Sequence, residues 1–409
     1  MRAYERLLHY VSFDTASDPE SPVCPSTEKQ KILGADLVRE MKDLGIHDAF
    51  MDEHGYVYGT IPASDDCKNA PVVGFIAHMD TVCEVPHADI KARVEHYEGG
   101  DLLLNAAQNI ILSPKEFPEL EQYKGMDLVV TDGTTLLGGD DKSGIAEILT
   151  MAETLLKDDS IRHGTVKIGF TPDEEIGRGA DLFDVAGFGA DFAYTVDGGA
   201  FGAVDYENFN AASMRVIVNG KNIHPGSAKN KMINAMLVAM EYNAMLPPVE
   251  RPEHTEMYEG FYHITSMCGS VEHAELGYIV RDHNLQKLED KKTFAQNAAE
   301  YLNGIYGAGT VAVEIRDSYR NMDTVVKQHW HLIENARKAI ELLGGKPCTM
   351  PVRGGTDGAR LCYMGLPCPN LGTGGANAHG RLEYACVQSM DNCAASLVEI
   401  AKLYGAIKK

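Results

Sequence analysis

The chain lacks the features that would place it in several large protein classes. None of its nine cysteines forms a C-x-x-C pair, and it has one tryptophan in 409 residues. Cys24, Cys67, Cys83, Cys268, Cys348, Cys362, Cys368, Cys386 and Cys393 are odd in number and scattered. They fit free or buried thiols in a reducing compartment better than a disulfide framework or a thiolate zinc site. No apolar run reaches the ~18 residues of a membrane span, and Met1 to Leu8 has no apolar h-region. The expected compartment is therefore the cytoplasm. Positive charge is scarce too: 37 Lys and Arg against 59 Asp and Glu leave a net charge of −22. Nucleic acid and anionic membranes would repel such a surface, so neither is expected as a partner, whereas cations suit it. No internal repeat or low-complexity tract appears.

What is present reads as two domains, for which 409 residues suffice. Thr27-Glu28-Lys29-Gln30 has the form of a capping box opening a helix, with Leu33, Leu37, Met41 and Leu44 as its apolar stripe and Gly45 as its C-cap. Val72 to Ala77 is a short continuous apolar run, the pattern of a strand buried on both faces. Thr165 to Thr171 and Phe192 to Val196 read as further strands, and helical patterns alternate with them. That alternation predicts an α/β domain with a mixed, largely parallel central sheet, whose ligands bind beyond the carboxyl ends of the strands. Residues 84–131 are expected to form short strands and loops covering one side of the site. From about Asn208 the order becomes β-α-β-β-α-β, which predicts an inserted ferredoxin-like α+β domain over 208–318. The first domain then comprises 1–207 and 319–409.

The organising stretch is Gly138-Gly139-Asp140-Asp141-Lys142-Ser143-Gly144, followed by apolar residues at helical spacing. It places two aspartates, expected to be exposed, where a loop enters a helix. Either could simply cap that helix. A carboxylate there could also bridge two divalent cations ~3.5–4 Å apart, the spacing of two-metal hydrolases, and Asp140 is the candidate bridge. His78 and Asp80 are two apart at a strand end, where a carboxylate can fix the tautomer of a metal-bound imidazole. Glu174 and Glu175 are adjacent with diverging side chains, so one can bind metal while the other takes a proton from water. Asp197 precedes two glycines, and His379 sits in a glycine-rich loop. Together His78, Asp140, Glu175, Asp197 and His379 offer two imidazoles and three carboxylates. That donor set suits two Zn²⁺ ions, with Mn²⁺ or Co²⁺ as substitutes.

The motifs together resemble peptidase T, a family of dizinc tripeptide aminopeptidases. The resemblance lies in His78-Met79-Asp80-Thr81, Asp132 to Gly144, Pro172 to Gly179 and Val196 to Gly199. It continues in Glu207 to Ala212, His224-Pro225-Gly226, Tyr258 to Tyr262, Arg353 to Gly358 and His379-Gly380. It implies one zinc on His78 and Asp197, the other on Glu175 and His379, and Asp140 between them. It further implies Glu174 as general base, Asp80 orienting His78, and a cis peptide between Asp140 and Asp141. In the inserted domain it makes His224 an oxyanion donor to the partner subunit's site, and Arg281, Arg353 and Asn210 substrate contacts. That domain would act as lid and as the contact of a homodimer. The chain departs from the family at Gly139, where alanine is usual, and at Ala376 and Ala378, where larger residues are usual.

The reading that follows is a cytoplasmic zinc metallopeptidase that releases the N-terminal residue of tripeptides. A dipeptidase, an N-acyl-amino-acid deacylase or a carboxypeptidase would use the same metal centre. A non-catalytic peptide- or metal-binding protein on the same fold would have lost Glu174 or a ligand, and every position is filled.

Overall fold

The computed structural model describes residues 1–407, which divide into two compact units. The first comprises Met1–Tyr206, Thr324–Met350 and the chain from Thr356 onward. Its seven-stranded sheet runs in the order Phe50–Met51, Val57–Ile61, Val166–Thr171, Val73–His78, Phe192–Gly198, Asn370–Gly372, Val204–Asp205. The four strands from Val166–Thr171 to Asn370–Gly372 are parallel, and the flanking strands pair antiparallel. Strand Val73–His78 is buried at every position, as its unbroken apolar run requires. Parallel pairing brings His78, the turn after Thr171, and Asp197 to one edge of the sheet, where such folds bind ligands.

Helix Gly139–Lys157 packs on strands Val73–His78 and Phe192–Gly198 and against helices Ala3–Tyr10 and Val387–Gly405. Its contact with the sheet is close enough to demand glycine at 144, where a Cβ would fall 1.9 Å from the Val196 carbonyl oxygen. Asp140 and Asp141 are not helical in backbone, and the peptide between them is cis. The expectation that these aspartates are exposed is corrected here. Asp141 is 1% exposed, because the same packing that buries the helix buries its first turn. The expected capping box is not formed either. Helix Gln30–Leu44 begins at Gln30 without a side-chain cap, since Thr27 donates instead to the Ala16 carbonyl and Gln30 to Asp173. Gly45 does end that helix in the left-handed conformation.

Glu147, fully buried on helix Gly139–Lys157, has no hydrogen-bond partner for either carboxylate oxygen. Burial, with Asp391 adding repulsion, raises its pKa well above the usual carboxylate range. A carboxyl whose pKa is raised on folding stabilises fully below its unfolded pKa of ~4.3, and that contribution is lost as pH rises toward the folded value. Glu147→Met removes the titration at similar volume. Its melting temperature should exceed that of the wild type at pH 8 by more than at pH 5. A gap that stays constant with pH would show that Glu147 is not the titrating group.

The segment 84–131 supplies strands Arg93–Tyr97 and Met126–Val130 to a second, antiparallel sheet with Tyr384–Cys386 and Gly375–Ala376. Tyr97, Leu112, Leu120, Tyr123, Leu128 and Tyr384 form its own apolar core. This sheet anchors both ends of the loop that carries His379.

The second unit comprises Glu207–Asp323 and Pro351–Gly355. Strands Phe261–Gly269, His273–Asp282, Asn210–Asn219 and Val311–Tyr319 lie in that order, all antiparallel. With helices Ala235–Met245 and Leu285–Tyr306 this is the ferredoxin-like β-α-β-β-α-β order. Residues 351–355 join it because Val352 donates to the Glu207 carbonyl (2.9 Å). No helix among the described residues is long and apolar enough to cross a membrane, and all nine cysteines are free thiols.

Candidate metal centre

Asp140 faces two imidazoles, one with each carboxylate oxygen. Its Oδ1 lies 3.1 Å from His78 Nε2 and its Oδ2 lies 3.4 Å from His379 Nε2. On the His78 side stands Asp197, with Oδ1 3.6 Å from His78 Nε2. On the His379 side stands Glu175, with Oε2 2.9 Å from His379 Nε2 and a buried Oε1 that has no hydrogen-bond partner. Ligand atoms of His78, Asp140 and Glu175 lie within 4.8 Å of one another, and so do those of His78, Asp141 and Asp197. The five residues singled out as ligands in the sequence are thus brought together from five separate segments.

Asp140 and Asp141 divide the two roles that the sequence left open for them. Asp141 caps the helix, accepting from Gly144 N–H (3.1 Å) and from His78 N–H (3.2 Å). Asp140 makes neither contact and is free to face the histidines.

Asp80 lies beyond the strand end, and its carboxylate does more than orient His78. His78 Nδ1 is 3.0 Å from the Asp80 carbonyl oxygen and 3.3 Å from its carboxylate. The carboxylate accepts the backbone N–H groups of Glu174 (2.9 Å) and Glu175 (3.1 Å). One side chain therefore sets both the imidazole and the turn that carries the two glutamates. The turn is held from behind by Asp173, in left-handed backbone (φ 59°). Asp173 accepts from Ser26 N–H (2.7 Å), the Ser26 hydroxyl and Gln30 Nε2 (2.7 Å). The contributions of Ser26, Gln30 and Asp173 were not visible in sequence, because they join segments more than 140 residues apart.

Among the described residues, the Glu174 carboxylate has no hydrogen-bond or ion-pair partner. Burial pushes its pKa well above the usual range; His78 opposes this, and Asp197, Asp357 and Glu175 reinforce it. Burial likewise lifts Glu175 to about 7 and Asp197 to about 6. Asp140 moves the other way, below the usual range, because the pull of His379 and His78 outweighs its burial. Hydrogen bonds to Asp140 and Glu175 in turn raise His379 to about 11. So many carboxylates crowded out of water stay ionised together only beside concentrated positive charge. The donor set, the orphaned Glu175 oxygen and this electrostatic strain all fit a pair of divalent cations.

The remaining candidates belong to the second unit. His224 is exposed, and its Nδ1 accepts the Gly226 N–H (3.1 Å). The proton of the neutral ring is therefore on Nε2, leaving that atom a donor. Arg281 donates Nη1 to the Arg353 carbonyl (3.0 Å) and has a buried Nε without a partner. The two other expected substrate contacts already hold partners within the second unit. Arg353 is committed within the unit, donating to the Met257 and Glu259 carbonyls (2.9 Å each) and to Thr255. Asn210 is buried, with its amide donating to the Asp282 and His283 carbonyls and its oxygen accepting from Asn321 N–H. Asn210 thereby satisfies backbone carbonyls inside the unit, as a buried amide must.

Comparison with known proteins identifies the family of the chain. The model of peptidase family M20/M25/M40 matches residues 129–403. The chain is 52% identical to peptidase T of Alkaliphilus oremlandii, over 98% of each chain. It is 50% identical to peptidase T of Caldanaerobacter subterraneus, over 99% of each. Among solved structures, aminopeptidase PepT from Bacillus cereus aligns with a TM-score of 0.77 at 24% identity, over 98% of each chain. A tripeptidase from Staphylococcus aureus aligns at 0.79 and 21% identity, over 99% of this chain and 98% of that one. A dinuclear metal binding peptidase of the M20 family from Bacillus subtilis aligns at 0.66 and 15% identity, over 98% and 97%. At those identities the structures speak for the fold alone.

Proposed function

The chain belongs to peptidase family M20/M25/M40 as a metallopeptidase, and from that premise we propose how its residues act as a tripeptide aminopeptidase of the peptidase T kind. The observation that carries the proposal is Asp140, with one oxygen toward His78 and the other toward His379. His78 and Asp197 would hold one divalent cation, Glu175 and His379 the second, and Asp140 both. Nitrogen and oxygen donors without thiolate favour Zn²⁺, with Mn²⁺ or Co²⁺ as substitutes. Bound there, the pair would polarise the scissile carbonyl and make water acidic enough to attack it at neutral pH. Glu174, uncommitted and held over the site by Asp80, takes the proton of the attacking water and returns it to the leaving amine. His224 would offer Nε2–H to the oxyanion developing in the partner subunit's site. Arg281 holds the terminal carboxylate of the peptide, for which guanidinium is a planar match.

The partner that the fold suits is a second copy. Strand Phe261–Gly269 is the outer strand of its sheet, and Ile264 and Met267 on it are exposed. Leu237 and Met240 are exposed on the neighbouring helix Ala235–Met245. A homodimer pairing this edge would cover them. Nine free thiols and a net charge of −22 favour a cytoplasmic setting.

Product analysis tests the activity. The zinc-loaded protein should cut a free tripeptide to an amino acid and a dipeptide, and leave the dipeptide, the tetrapeptide and the N-acetyl tripeptide intact. Cleavage of the acetylated peptide instead would move the substrate to the deacylase branch while keeping the metal centre.

A further inference from the structure

Glu383 is buried in the first unit, with a carboxylate that makes no hydrogen bond to any of the five candidate ligand side chains. All three of its hydrogen bonds come from the backbone of one short segment. Its Oε2 accepts from Leu137 N–H (2.9 Å) and Gly138 N–H (2.8 Å), and its Oε1 accepts from Asp140 N–H (2.9 Å). Converging backbone N–H groups form a concave anion site, and here a side chain fills it permanently. The same carboxylate is the largest favourable charge on the fully buried Lys142, whose Nζ donates to the Phe13 carbonyl (3.0 Å).

The position of Glu383 in the chain makes this clamp informative. It ends the loop that follows strand Gly375–Ala376, and His379 lies in that loop four residues before it. Asn377 and His379 both adopt left-handed backbone (φ 59° and 64°), so the loop is tightly wound rather than extended. Tyr384, next to Glu383, pairs with Val130 in the small sheet. One loop thus presents a candidate ligand and also grips the backbone of another, Asp140. Gly139 completes the fit. A Cβ there would come within 3.1 Å of Glu383 Oε1, tighter than ordinary contact. The absence of a side chain at this position gives the carboxylate room to reach Asp140 N–H.

We propose that Glu383 is a positioning residue that locks the Asp140 loop to the His379 loop, so that the bridging carboxylate and the histidine opposite it keep one spacing for two cations. The proposal rests on the two-metal reading above. Outer residues that orient metal ligands typically contribute 10–100-fold in affinity or activity. Glu383→Gln keeps size but replaces one acceptor oxygen with an NH₂ that cannot accept, and removes the charge beside Lys142. The measurement is Zn²⁺ affinity by competition with a chelating indicator, read beside kcat, KM and the melting temperature of the chelator-treated protein.

The expected result is ~10–100-fold weaker binding of at least one Zn²⁺ and a matching fall in kcat at limiting zinc. KM for the tripeptide should stay within about twofold, and excess zinc should recover part of the activity. Glu383→Asp, which keeps the charge, should lie between the wild type and Glu383→Gln, and serves as the test if Glu383→Gln does not fold. Wild-type affinity for both ions in the folded variant would overturn the proposal. So would loss of zinc that merely follows the fraction of unfolded protein. If the wild type itself binds fewer than two Zn²⁺, the two-metal reading falls first and this inference with it.

Discussion

Glu174→Ala should lower kcat by ~10²–10⁴ and leave the bound metal essentially unchanged. Both halves of that result follow from how Glu174 is held. Its backbone N–H is fixed by Asp80 at 2.9 Å, but its carboxylate has no partner among the described residues. A group positioned through its main chain and uncommitted at its tip can pick up a proton and release it without breaking other contacts. Burial shifts it well above the usual carboxylate range, and a base works best when its pKa approaches the operating pH. Bound cations would pull that value back, toward a poised base rather than a permanently protonated acid. Removing the side chain deletes no ligand atom, so metal content by atomic emission should match the wild type. Near-normal turnover would sink the assignment. Loss of metal together with activity would make Glu174 a ligand rather than the base.

Asp140→Ala should have the opposite signature, with metal and activity lost together. Among the described residues Asp140 offers the only carboxylate whose two oxygens face His78 and His379 separately, at 3.1 and 3.4 Å. Each cation would lose a ligand, and the negative charge between two like charges would vanish. Lewis-acid assistance by metal amounts to several kcal/mol, and 1.36 kcal/mol is a tenfold rate change, so kcat should fall by ~10³ or more. His379 should also return from about 11 toward its ordinary value, since Asp140 is the first cause of its elevation. That shift can be followed by NMR of the chelator-treated variant. Asp140→Ala protein that retained two equivalents of metal after dialysis would refute the bridging role.

The contrast between these variants depends on a distinction that the two adjacent aspartates do not reveal in sequence. Asp140 and Asp141 are the same residue type in the same turn. One caps the helix and the other faces the histidines only because their backbones diverge before helical geometry begins.

Local patterning by itself determined the strands of the central sheet and the helices around it, since burial on both faces needs an unbroken apolar run such as Val72 to Ala77. It also determined the β-α-β-β-α-β order of the second unit, because alternation and helical spacing survive without knowledge of neighbours. The metal-ligand candidates were legible because imidazole and carboxylate beside glycine at strand ends are chemically distinctive. Tertiary structure alone decided which polar groups are committed. Asn210 and Arg353 were singled out for substrate chemistry, and the fold gives both backbone carbonyls as partners. Gln30 looked like a cap and instead supports Asp173. Glu383 gave no signal at all, being one glutamate among many until the chain brings three N–H groups to it across more than 240 residues. Sequence shows what a side chain is able to bond; only the folded chain shows which partner reaches it first.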